Sequence, residues 1–360
     1  MKKFKVCVYA ISKNEEKFVE RWVNSMKEAD EIYVLDTGST DNTVNFLKQR
    51  GVIVKEEIIN PWRFDVARNK SLEMVPDDTD ICICTDLDEV FEIGWREKLE
   101  QHYVMGARVN YTYNWHINED DVADVTFLLN KIHPKKGYSW THPVHEVLKN
   151  DNEEKIINIE DIILNHFPDN EKSRGSYLPL LELSVMEDDK DDRNMHYLGR
   201  EYMYYQRWED CIKTLKKHLT LDSATWKMER AASMRYIARS YLNLHNETEA
   251  EFWYKSAIKE EPNIREGYVE LAMLYNMQSK WLESINCLIN ALRIKKKPMV
   301  YINEVFAWDG SIEDIMSLNY YNLGLYDLAI YYVDKSLEYK KDDKRLVNNK
   351  KLFIDENNKN

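Results

Sequence analysis

Along this chain the apolar residues come first in short β-branched bursts and later in helical stripes, and the change falls near residue 175. Val6-Cys7-Val8-Tyr9-Ala10-Ile11, Ile32-Tyr33-Val34-Leu35, Val52-Ile53-Val54 and Ile81-Cys82-Ile83-Cys84 each read as a buried strand. Between them, residues 15–27 place Phe18, Trp22, Val23 and Met26 on one helical face, and residues 43–50 repeat the pattern with Val44 and Leu47. This alternation predicts an open, mostly parallel α/β sheet. After Gly106 the runs 107–115, 125–132, 144–148 and 156–164 predict strands without helices between them, read as antiparallel additions to the same sheet.

Beyond Arg174-Gly175 the pattern is helical and repeats. Tyr202, Tyr241, Tyr275 and Tyr320 each precede Trp208, Glu247, Trp281 and Tyr326 by the same interval, and the small or sulfur-bearing Cys211, Ala250, Ser284 and Ala329 follow. The steps of 39, 34 and 45 residues bracket the ~34-residue period of the tetratricopeptide repeat, whose Leu-Gly-x-x-Tyr pattern stands at Leu198-Gly199-x-x-Tyr202. Small residues let the two helices of a pair cross closely. The long third step marks an insertion around residues 299–310, and the charged stretch after Tyr339 reads as a frayed tail. The division expected is residues 1–174 as an α/β domain and 175–360 as an all-α repeat domain.

Charge and composition then narrow the chemistry. The 63 Asp+Glu exceed the 50 Lys+Arg, for a formal charge of −13, which argues against nucleic acid as a partner. No apolar run approaches the length of a membrane span, and residues 1–16 lack the features of a signal peptide. Five cysteines without metal-finger spacing fit reduced thiols and a cytoplasmic setting. In an open α/β sheet, ligands bind beyond the carboxyl ends of the strands. Those ends read Ala10-Ile11-Ser12-Lys13-Asn14-Glu15-Glu16, Asp36-Thr37-Gly38-Ser39-Thr40-Asp41 and Thr85-Asp86-Leu87-Asp88-Glu89. Any one of these alone reads equally as a turn or helix cap; three acidic ends on one rim predict a site. Asp86 and Asp88 alternate along an extended segment and are natural hard ligands for a divalent ion.

These segments resemble the family 2 glycosyltransferases with the GT-A fold. Ile11-Ser12-Lys13-Asn14-Glu15-Glu16, Val34-Leu35-Asp36-Thr37-Gly38-Ser39-Thr40-Asp41-Asn42-Thr43, Ala67-Arg68-Asn69 and Asp86-Leu87-Asp88-Glu89 stand in the family's order. The resemblance implies a Rossmann-like, mostly parallel GT-A sheet and inverting transfer of a hexose or N-acetylhexosamine from a UDP-sugar with Mn2+ or Mg2+. It implies that Asp88 holds the metal, that Asp86 faces the ribose or the metal's water, and that Asp36 accepts from the pyrimidine N3–H. It further implies nucleoside contacts from Asn14 or Glu15, a backbone contact from Ala10, and a phosphate or uracil-side contact from Arg68. Trp140-Thr141-His142-Pro143-Val144-His145-Glu146 resembles the Val-His-Glu segment of lipopolysaccharide-type members. This makes Glu146 the candidate base, with His145 orienting it or donating to a phosphate. His166 stands where many GT-A proteins supply a histidine ligand, with a structural role as the alternative; His116 and His133 are given no role. The sheet followed by repeats also resembles the bacterial peptide S-glycosyltransferases of glycocin pathways, which implies a peptide or protein acceptor on the repeats. The alternatives are an envelope glycan or lipid-linked acceptor with the repeats forming a homodimer, and a non-catalytic nucleotide-binding scaffold.

Overall fold

The computed structural model describes residues 4–118, 121–169, 175 and 177–359. By its internal contacts the chain divides into two compact units, residues 1–184 with 299–301 and residues 185–298 with 302–360. The boundary expected at residue 174 lies outside the described residues.

The first unit opens β1 (Val6–Ser12), α1 (Glu16–Met26), β2 (Glu31–Asp36), α2 (Thr43–Gln49), β3 (Ile53–Glu56), α3 (Phe64–Glu73), β4 (Ile81–Cys84). It continues with β5 (Glu89–Phe91), α4 (Trp95–His102), β6 (Ala107–Ile117), β7 (Ala123–His133), β8 (Tyr138–Thr141), β9 (Val147–Asn150) and β10 (Lys155–His166). Eight strands form one sheet in the order β3-β2-β1-β4-β7-β6-β10-β5. The four strands of the β3–β4 half are mutually parallel. β7 runs antiparallel to both β4 and β6, as the pattern predicts. β10, however, runs parallel to β6, because the β8–β9 hairpin and its flanks carry the chain back to the sheet's starting end. The strand expected at 144–148 is displaced accordingly: residues 142–146 are an irregular loop, and β9 begins at Val147.

Alternation along β1 builds two cores. Val6, Val8 and Ala10 face Val19, Trp22 and Met26 of α1, Leu47 of α2 and Trp95 and Leu99 of α4. Cys7, Tyr9 and Ile11 point the other way, toward Leu72 and Ala67 of α3 and Tyr138, Trp140 and Leu148 of the hairpin. At roughly 25 cal/mol per Å2 of apolar surface removed from water, these two layers hold the sheet between its helices. Cys82 and Cys84 are fully buried packing groups in the second layer.

The second unit is a run of antiparallel helix pairs: α6 (Asp192–Tyr204) with α7 (Trp208–His218), α8 (Lys227–Asn243) with α9 (Glu247–Glu260), α10 (Glu266–Met277) with α11 (Trp281–Arg293), and α12 (Ser311–Asn322) with α13 (Tyr326–Tyr339). α5 (Tyr177–Glu187) precedes them. The expected insertion is the irregular stretch before α12, which contains one 3-10 turn at Val305–Ala307. The stretch after Tyr339 is not frayed. It forms α14 (Lys344–Asn357), capped by the Asp343 carboxylate on the amides of Arg345 and Leu346. Leu346 and Phe353, two turns apart, bury one face of it beside Ala329 and Val333. In the sequence this narrow stripe is hidden by the lysines and asparagines around it. No helix among the described residues is long and apolar enough to cross a membrane.

Candidate active site

Strand order places the site. β1 connects to β2 on one side and lies against β4 on the other, so the direction of winding reverses between β1 and β4, the switch point beyond whose carboxyl ends open α/β sheets bind ligands. The β1–β4 ladder ends at Tyr9 and Cys84, while β1 stays paired with β2 through Ser12 and Asp36. Ala10 therefore sits, fully buried, just past the point where β4 leaves β1. Thr85, next after β4, accepts from the Trp22 indole at 3.0 Å and so fixes α1 to this rim.

The loops after β1 and β2 are laced together. Asn14, at φ +55°, accepts from the Thr40 amide through Oδ1 (2.7 Å) and donates its own amide to Ser39 Oγ (2.8 Å). The Glu15 amide donates to Thr43 Oγ1, and Glu16 accepts from the Asn42 amide. Asp36 is buried and accepts four hydrogen bonds, from the amides of Gly38 and Ser39 and from the hydroxyls of Ser12 and Ser39. A carboxylate offers about four lone-pair sites. The role implied for Asp36, acceptance from a pyrimidine N3–H, thus meets a carboxylate already saturated by its own loop. What Asp36 does here is hold that loop in shape.

The acidic end of β4 is organised by cations. Arg68 is buried on α3, and its guanidinium donates from Nη2 to Asp86 Oδ1 (2.7 Å) and from Nε to Glu146 Oε1 (2.8 Å). It lies over the Trp140 ring, 5.5 Å from its centre. Two paired hydrogen bonds between Asn69 and the Trp140 backbone lock α3 to β8 and set that position. Arg68 is thus neither a surface arginine nor an open phosphate contact; it joins the two carboxylates. Lys131 of β7 approaches Asp86 (3.7 Å) and Glu89 (4.0 Å). Burial opposes charge on Asp86, but Arg68 and Lys131 prevail and hold its carboxyl below the usual range. For the buried Glu89 burial prevails and the pKa is raised, although Lys131 pulls the other way; Tyr113 donates to it at 2.9 Å.

Sequence reasoning gave no role to Lys131 or Glu89. The signal was available in Leu128-Leu129-Asn130-Lys131-Ile132, a cation inside an apolar strand. His133, also left without a role, is a core group, accepting from or donating to the Tyr9 hydroxyl at 2.8 Å. His116 pairs with Asp124 on the neighbouring strand.

His166 ends β10 and lies between Tyr113 and Trp115, roughly stacked with both rings. Its Nε2 is 3.4 Å from Asp88 Oδ2, and its buried Nδ1 has no hydrogen-bond partner among the described residues. Burial disfavours the charged ring, but Asp88 outweighs it and the pKa is raised. A carboxylate oxygen and an imidazole nitrogen at this spacing fit adjacent corners of one ion's shell, where ligands ~2.1 Å from the ion stand ~3 Å apart. Glu146 presents a second feature. Its Oε1 is tied to Arg68, and among the described residues Oε2 has no hydrogen-bond partner. His145, at φ +50°, and His142, at φ +77°, bend the loop that carries Glu146, and the Pro143 carbonyl accepts from the first amide of α3 at 3.0 Å. The His145 ring lies tilted against Tyr177 with 5.8 Å between ring centres.

Residues 7–147 match the model of Glycosyl transferase family 2. This segment is a family 2 glycosyltransferase domain. An uncharacterized glycosyltransferase of Rickettsia typhi is 42% identical to the chain over 117 residues, 32% of this chain and 35% of that protein. One from Rickettsia prowazekii is 32% identical over an equal length, with the same coverage of each chain. The chain spans about a third of the length of these curated relatives. Among solved structures, MamA covers 48% of this chain and 91% of its own at 19% identity with a TM-score of 0.39. A TPR protein of Thermus thermophilus covers 49% and 88% at 16% identity with a TM-score of 0.36.

Proposed function

We propose that the glycosyltransferase domain transfers a hexose or N-acetylhexosamine from a UDP-sugar, with inversion and with Mn2+ or Mg2+ bound, to a peptide or protein held by the helical repeats. The observation that carries this reading is that Arg68 joins Asp86 to Glu146 while His166 meets Asp88, all just beyond the strand ends. The repeats support the acceptor class, because stacked helix pairs present an extended surface suited to polypeptide.

In this reading Asp88 and His166 hold the divalent ion, which when bound offsets charge on the departing diphosphate. Asp86, fixed by Arg68 and Lys131, orients the ribose side of the donor. Asn14, Glu15 and the loop shaped by Asp36 form the platform for the nucleoside. Glu146 takes the acceptor proton on Oε2 while Arg68 holds Oε1 in place. Tyr113 and Trp115 pack roughly parallel to the His166 ring and hold it at the strand end.

UDP release from a panel of UDP-sugars, with Mn2+ and with chelator, tests the donor and metal. Wild-type protein is expected to release UDP only with metal, and Asp88→Asn is expected to remove that release while leaving the circular dichroism unchanged. An amide preserves shape but not the charge that a hard cation needs. Near-normal turnover by Asp88→Asn would remove Asp88 from the metal, and equal turnover in chelator would remove the metal from the reaction. Mass spectrometry of peptides co-expressed with the enzyme reads the acceptor, and a sugar found only on glycan or lipid would overturn the polypeptide reading.

A further inference from the structure

In the helical unit, three groups from successive helices meet at one point. Asp192 opens α6, His218 closes α7, and Glu229 lies in the first turn of α8. Each offers a ligand atom, and these atoms all lie within 4.8 Å of one another. His218 is fully buried and Glu229 is 5% exposed, while Asp192 is partly open to solvent.

The histidine supplies the second observation. Among the described residues, His218 Nε2 has no hydrogen-bond partner. It stands 3.6 Å from Glu229 Oε1, beyond hydrogen-bond length. Its other nitrogen, Nδ1, lies 3.0 Å from Ser233 Oγ, and Ser233 Oγ lies 2.7 Å from His196 Nδ1. A serine hydroxyl has one proton, so it donates to one of these rings and accepts from the other. When it donates to His196, it accepts from His218 Nδ1–H, and the Nε2 of His218 then carries a lone pair on the side of Glu229 Oε1. A ring nitrogen held by an outer hydrogen-bond acceptor, with the opposite nitrogen facing carboxylates, is how imidazole is set to ligate a metal.

We propose that Asp192, His218 and Glu229 form a divalent transition-metal site that pins the first three helices of the repeat unit. One nitrogen and two oxygen donors without thiolate suit Zn2+ or Mn2+ rather than Cu(I) or an iron–sulfur cluster. Three protein ligands leave a position for water, and the partly exposed Asp192 provides the way in. The site is separate from Asp88 and His166 and does not depend on the reaction assigned to them.

The test uses the full chain in an Asp88→Asn background, which takes the donor site out of the measurement. Equilibrium dialysis against Zn2+ is expected to find one bound equivalent and a raised melting temperature. Adding Asp192→Asn or Glu229→Gln is expected to remove both, and Ser233→Ala to weaken binding about 10–100-fold through the loss of the outer hydrogen bond. Asp192 is partly exposed, so its amide variant keeps the fold and carries the test even where the buried changes do not. Equal Zn2+ uptake by Asp88→Asn and Asp88→Asn/Asp192→Asn, or no uptake by folded Asp88→Asn protein, overturns the site.

Discussion

Glu146 is held by one oxygen only, and that asymmetry separates two roles it could have. If Oε2 takes the acceptor proton, replacing the carboxylate with an amide removes the base but keeps an oxygen for Arg68 Nε. Glu146→Gln is then expected to lower kcat about 10²–10⁴-fold with the donor KM little changed. If Glu146 serves only to position Arg68, the same variant instead shifts donor KM and spares kcat. Glu146→Ala is the harsher change, because it strips a buried guanidinium of one of its two carboxylates; breaking such a pair costs roughly 3–5 kcal/mol. Steady-state kinetics of the two variants, with melting curves alongside, distinguish these outcomes. The acidic residues of this site were visible in the sequence because they follow apolar bursts directly. Their partners were not: nothing in the spacing of Arg68, Asp86 and Glu146 tells that the first side chain bridges the other two, since α3, the end of β4 and the 142–146 loop meet only in the folded chain.

At the level of elements, legibility followed burial. Strands buried on both faces, such as β1 and β4, announce themselves as unbroken apolar runs, and the helix pairs announce themselves by the spacing of Tyr202, Tyr241, Tyr275 and Tyr320. What escaped were elements held by few or distant contacts. The register that makes β10 parallel to β6 depends on where the hairpin returns the chain, and α14 depends on two apolar residues among many polar ones. The repeat pattern also makes a claim about packing that can be checked. A Cβ built on Gly199 would collide with Leu215 Cδ2 and Cγ, and Leu215 is fully buried. The branch point of a buried leucine has nowhere to go, so α6 and α7 must separate. Gly199→Ala is expected to lower stability by about 1–3 kcal/mol despite the better helix propensity of alanine. The equivalent position in the third pair is already Ala272, which is buried there without change. A urea midpoint for Gly199→Ala at or above wild type would show that the first pair is not close-packed at this crossing.

Across the whole molecule, acid stability should report which unit opens, because buried thiols mark both. Cys7, Cys82 and Cys84 lie in the first unit and Cys211 and Cys287 in the second, all free and buried. Burial pushes the Cys82 thiol up to about 12 and the Cys84 thiol up to about 11, so neither reacts until its unit opens. In the first unit, burial beneath Tyr9 and Tyr138 lowers the pKa of His133 to about 3, helped by Arg108 and Lys135 and resisted by the Pro134 carbonyl. The unfolded chain protonates this histidine near its ordinary value of about 6.5. Between those limits the unfolded state holds a proton that the folded state refuses, so stability rises with pH there. His133 therefore contributes its full share above about pH 6.5 and loses it as the pH falls toward 3, at roughly 1.4 kcal/mol per pH unit. Thiol labelling of peptides containing Cys7, Cys82 and Cys84, across a urea series at pH 7 and pH 5, isolates this unit from the other. The unfolding free energy should drop on acidification in wild type, and drop by about 2 kcal/mol less in His133→Gln, whose amide keeps a hydrogen bond to Tyr9 but takes no proton. Equal shifts in the two proteins would mean that His133 accepts its proton inside the folded core, where the Tyr9 hydroxyl, which itself accepts from the Trp140 indole at 3.0 Å, would have to help solvate it.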